Sequence, residues 1–206
     1  MKHTIELKLY LSEIVYDIQQ RAFLIGESLR NTGNADTDES AAMVQDINDE
    51  RKDAVLRSIG TTWATIRDVC YEYLKGTNHT ADNLLLPETR KKVATALSFS
   101  FQGSNPSADN TDETEDNTLQ MMLRMPTNSA LASSDALAAD AHTAIVCNAL
   151  AEWLLLTPAR DLAATYVQSA ASALQAMNTA LNRRVRPNRL HAPSAEAPHT
   201  NDMRYE

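Results

Sequence analysis

Two stretches of this chain alternate apolar and polar side chains with a period of two, and nothing else in it constrains the fold as tightly. Ile5, Leu7, Leu9 and Leu11 fall on one side; Thr4, Glu6, Lys8 and Tyr10 fall on the other. Leu119, Met121, Leu123 and Met125 repeat the pattern with Gln120 and Arg124 opposite, although Met122 breaks the polar side. Successive side chains of a strand point to opposite faces, so each stretch predicts a half-buried strand. Val93, Thr95, Leu97, Phe99 and Phe101, with Ser98 and Ser100 between them, predict a third. Three such strands make a small antiparallel sheet with one apolar face, which helices must cover.

The rest of the chain repeats at helical spacing. Ser12 offers an N-cap, and Ile14, Ile18, Ala22, Ile25 and Leu29 follow on one face of a helix ending near Leu29 or Arg30. The polar stretch Asn31 to Glu39, with Gly33, reads as a loop. A long helix is expected from about Ser40 to Leu74, where Val55, Ile59, Trp63, Ile66, Cys70 and Tyr73 share a face. Gly60 inside it costs about 1 kcal/mol relative to Ala and marks a tight helix crossing. Thr77 to Glu88 reads as a connection. A further helix starts between Ser129 and Ser134 and runs to Leu156. Thr157-Pro158 then restarts the chain, with Thr as N-cap and Pro in the first helical position. Leu162, Tyr166, Ala170, Leu174, Met177 and Leu181 form the most regular amphipathic stripe in the sequence. The short link between these two helices predicts an antiparallel pair, and their many alanines permit close approach.

The predicted fold is therefore α+β: about four main helices, an antiparallel bundle, packed on one face of a small three-stranded antiparallel sheet. Residues 1–186 form a single domain. Gly103 to Asn117, polar and acidic, reads as a mobile hairpin loop; residues 187–206, with three prolines, read as an arm that is disordered unless a partner binds it. The 206 residues carry a formal net charge of −8, which argues against general binding to nucleic acid or anionic membranes. No apolar run approaches a membrane span, and the N-terminus lacks a signal-peptide core. Cys70 and Cys147 lie far apart inside helical patterns and read as buried free thiols of a reduced, cytosolic protein.

Four groups could carry chemistry. Asp46, Asp49, Glu50 and Asp53 would share one face of a continuous helix and could attract Mg²⁺ or Mn²⁺, the basis for an alternative reading as a Mg-dependent, all-helical-type nucleotide hydrolase. The Glu-Glu-x-x-Glu motif of such enzymes is absent. No second acidic helix answers the first, Asp135 and Asp140 being poorly spaced, so a solvated face is the preferred reading. Asp109, Asp112, Glu113, Glu115 and Asp116 lack the Gly and the spacing of a calcium loop and are candidates for ordering against a basic partner. His3, His79, His142, His191 and His199 contain no pair at i, i+4. Arg183, Arg184, Arg186 and Arg189 oppose a helix C-terminal dipole or dock on an acidic neighbour; a cytosolic helical adaptor with a basic C-terminal arm is the second alternative. An acidic body with a basic arm also suits self-association. The residues indicate no enzyme, no catalytic residue, no cofactor and no metal.

LKLYLSEIVYDIQ, IVCNALAEWLLLT followed by a Tyr-bearing helix, and the closing LNRRVRP resemble small structural-module proteins, of the neck and tail-connector type, from tailed phages and prophages of Bacteroidales. The resemblance covers about half the chain. It implies a virion structural protein, assembled in the bacterial host cytoplasm as a homo-oligomeric ring between neighbours such as portal and tail components. No catalytic residue is carried over. An acidic lumen would let DNA pass through such a ring without sticking.

Overall fold

The computed structural model describes residues 3–31, 35–47, 51–75, 84–97, 118–129 and 134–185. The protein is α+β. In chain order the described elements are β1 (His3–Tyr10), α1 (Leu11–Arg30), α2 (Ala35–Gln45), α3 (Lys52–Val69), a short 3-10 turn (Tyr71–Tyr73), α4 (Pro87–Ala96), β2 (Thr118–Met125), α5 (Ser134–Leu155) and α6 (Arg160–Asn182).

β1 and β2 pair antiparallel, with Ile5 opposite Leu123, Leu7 opposite Met121 and Leu9 opposite Leu119. The alternation does what its period predicts. Leu7, Leu9, Leu119, Met121, Leu123 and Met125 are buried, while Thr4, Glu6, Lys8, Met122 and Arg124 are exposed. Among the described residues the sheet has two strands, not three. Val93 to Ala96, the start of the expected third strand, belong to helix α4, while Phe99 and Phe101 lie outside the described residues. Val93 and Leu97 are both buried, and a spacing of four suits a helix as well as a strand. Pro87 at the first helical position and Glu88 in the first turn decide for the helix.

α5 is the axis of the molecule. It is apolar nearly all round, with Leu137, Ile145, Val146, Leu150, Trp153 and Leu154 buried, because α1, α3, α6 and β1 all pack on it. α6 runs back along it after a short link, so the expected antiparallel pair forms. Its buried stripe is Ala163, Ala170, Ala173, Met177 and Leu181, small at one end and large at the other. Leu162, expected in the core, is exposed, and Tyr166 is half-buried. Thr157 does not cap α6, whose N-cap is Ala159. Its hydroxyl instead donates to the Leu154 carbonyl (2.9 Å) and accepts from the Ala159 N–H, which fixes the turn. Ser12 likewise caps nothing, since α1 begins at Leu11 directly from β1.

The long helix expected from Ser40 is two helices, and the first begins at Ala35, inside the expected loop. The indole N–H of Trp153 donates to the Val44 carbonyl (2.9 Å), an acceptor that a continuing helix would use for the residue four further on. Arg51 donates to the Asp46 carbonyl (3.2 Å) and stacks over Trp153, its guanidinium 5.5 Å from the ring centroid. Gly60 does mark a close approach, but the element crossing it is the chain entering α4. A Cβ there would lie 2.8 Å from the Leu84 Cβ and 3.3 Å from its carbonyl carbon.

Candidate functional site

The acidic quartet does not form one helix face. Asp46 follows the end of α2 and Asp53 sits in the first turn of α3; Asp49 and Glu50 lie outside the described residues. Asp53 has a partner of another kind. Arg90 on α4, only 3% exposed, donates from Nε to Asp53 Oδ1 (2.5 Å) and from one terminal nitrogen to the carbonyls of Leu84 (3.0 Å) and Leu85 (2.8 Å). This side chain ties the entry of α4 to the start of α3. Three acceptors satisfy a buried guanidinium that would otherwise be costly. A lone Arg before Lys91 and Lys92 carries no sequence signal for that role.

Of the arginine cluster, Arg184 is committed inside the chain. It donates to the Leu181 carbonyl (2.6 Å) and to the Tyr73 hydroxyl (2.8 Å), and its guanidinium lies 5.8 Å from the Tyr73 ring centroid. The Tyr73 hydroxyl donates in turn to Asn182 Oδ1 (2.9 Å). Val185 N–H donates to the Asn128 carbonyl (2.8 Å), and Ser129 bridges to Arg184, so the end of α6 is fastened beside the exit of β2. Arg183 is exposed at the C-cap. Arg186 and Arg189, the acidic residues Asp109, Asp112, Glu113, Glu115 and Asp116, and the arm 187–206 lie outside the described residues. His142 is half-buried, with Nε2 3.7 Å from Asp17 Oδ2. Both cysteines are free and buried. Burial pushes the Cys70 thiol up to about 12. Among the described residues no group of three His, Cys, Asp or Glu could hold a metal ion, and no helix is long and apolar enough to cross a membrane.

What the surface offers is apolar relief. Leu24, Ser28, Leu162 and Tyr166 border a groove of about 240 Å³ between α1 and α6, and Leu24 is 57% exposed. A second cleft of about 240 Å³ lies between α3 and α5 over Val55, Ser58, Ala149 and Trp153. Leu155 and Leu156 stand at its edge, Leu156 65% exposed. The Ser58 hydroxyl is buried there with no hydrogen-bond partner. Large apolar groups gathered at concave surfaces mark contact sites more often than the same groups scattered singly. Leu162 and Tyr166 of α6 line the first groove, but a helical projection alone does not separate the buried Ala163 from the exposed Leu162. Comparison of the chain with protein-family models, with curated proteins and with solved structures finds no match.

Proposed function

We propose that this protein is a non-enzymatic structural subunit of a tailed-phage particle, a ring protein of the neck or head–tail connector. The observation that supports it is the pair of apolar clefts, one between α1 and α6 and the other between α3 and α5, with Leu24, Leu162, Leu155 and Leu156 exposed beside them. A ring subunit meets its two neighbours through different surfaces, and such heterologous contacts bury apolar patches of this kind. The partners are further copies of the chain and adjoining portal or tail components. The net charge of −8 suits a ring through which DNA passes unbound.

The test is mass and shape. The full chain is purified alone and together with the products of the genes beside its own, then examined by native mass spectrometry and negative-stain microscopy. A closed ring, or a ring formed on a portal, is expected. Leu24→Glu and Leu156→Glu should each abolish it while leaving the helical circular dichroism intact. A chain that joins no ring under either condition overturns the reading.

A further inference from the structure

Among the described residues nothing pairs with the outer edge of β1, and the order of charges along it bears on what could. Lys75 N–H donates to the Met122 carbonyl (2.9 Å) on the side of β2 away from β1. A residue's N–H and C=O point to the same side of an antiparallel strand and alternate along it. The backbone N–H and C=O groups of Gln120, Met122 and Arg124 therefore point away from β1. The odd-numbered pairs Ile5–Leu123, Leu7–Met121 and Leu9–Leu119 carry the β1–β2 bonds. On β1 this leaves the backbone of Thr4, Glu6 and Lys8 directed outward. Among the described residues no strand, bridge or loop bonds to that edge. β1 has eight residues and contains no Pro, so neither shortness nor a proline blunts this edge.

We propose that this edge pairs with the same edge of a second copy, antiparallel and about a two-fold axis at Leu7. Parity leaves few registers, because outward-directed residues must meet outward-directed residues. Centring the pair on Glu6 sets Glu6 against Glu6, and centring it on Lys8 sets Lys8 against Lys8. Centring it on Leu7 alone sets Glu6 of each chain against Lys8 of the other. Both side chains are exposed; one Glu6 oxygen accepts from the Gln120 amide of the neighbouring strand, and the Lys8 ammonium lies 5.1 Å from the Tyr10 ring centroid. The same register places Leu7 beside Leu7 and Ile5 beside Leu9 on the inner face, so the apolar underside runs unbroken through a four-stranded sheet. The contact is isologous, which a cyclic ring does not require, and the inference does not rest on the virion reading.

Sedimentation equilibrium of the full chain over the micromolar range tests it. A monomer–dimer equilibrium is expected. Glu6→Lys and Lys8→Glu each set like charges at both symmetry-related pairs and should weaken the dimer about tenfold. An equimolar mixture of the two variants should recover it as a heterodimer, and the double reversal should recover it as a homodimer. As a second measurement on the unaltered chain, amide exchange at Thr4, Glu6 and Lys8 should slow as concentration rises. A monomer throughout, exchange independent of concentration, or single reversals not rescued by mixing would overturn the proposal. A closed ring indifferent to both reversals would overturn the edge pairing while leaving the virion reading in place.

Discussion

Along the α5–α6 hairpin, cohesion is spread over many small apolar contributions. Ile145, Val146, Leu150 and Leu154 on α5, and Ala163, Ala170, Ala173 and Met177 on α6, are all buried. At the α3–α4 corner it converges on few groups. Arg90 reaches Asp53, Leu84 and Leu85 at once, and Gly60 gives Leu84 room to pass. Dispersed apolar burial scales with area and tolerates modest repacking, whereas a single polar tie either meets its acceptors or does not. The hairpin should therefore carry the global stability, and the corner should open as a local unit.

Leu150→Ala gives the largest expected effect. Leu150 has no exposed surface, and the truncation leaves a cavity where α5 meets its neighbours. The expected loss is about 3 kcal/mol, read from the urea midpoint with the slope unchanged. A loss below about 1 kcal/mol would show that the hairpin is not the stable half. Arg90→Met comes next, at about 2 kcal/mol. The methionine fills the stem of the arginine but removes the guanidinium bonds to the Leu84 and Leu85 carbonyls, while Asp53, well exposed, remains hydrated. Its signature is spatial: amide exchange should accelerate over residues 84–97 and stay slow in α5. Acceleration throughout the molecule would erase the distinction between the two regions.

The same contrast explains what could be read from the residues. Strands β1 and β2, the body and C-terminal end of α1 and the α5–α6 pair were legible because buried surface imposes a period on neighbouring positions. The break between α2 and α3 was not. It depends on the Trp153 indole reaching the Val44 carbonyl from more than a hundred residues away, and no local pattern encodes that. The charge sequence through Asp46 and Asp53 looked helical because four carboxylates at spacings of three and four imitate one face; their mutual repulsion was the available warning. Val93 and Leu97 misled because two positions four apart satisfy both periods. At the candidate site, Arg184 was legible as a charge near a helix terminus but not as the partner of Tyr73, which again is a distant contact. The exposure of Leu162 depends on how α6 is rotated against α5, and the alanines decide that rotation only once both helices are in place.

Cys70 sharpens the comparison from the other side, because it is an apolar contact at the C-cap of α3, outside the hairpin. Burial raises its thiol to about 12, so the folded chain keeps this proton where the unfolded chain gives it up. The sign follows. Below the ordinary thiol value of 9.0 the contribution is fully present, and it declines as pH rises from there toward 12. The slope approaches but does not exceed about 1.4 kcal/mol per pH unit, and near pH 7 this group gives stability no pH dependence. Urea midpoints of the unaltered chain and of Cys70→Ala should thus converge above pH 9. If the gap between them held constant to pH 10.5, the thiol would be titrating in contact with water. The end of α3 would then have to be counted with the loosely held corner rather than with the core.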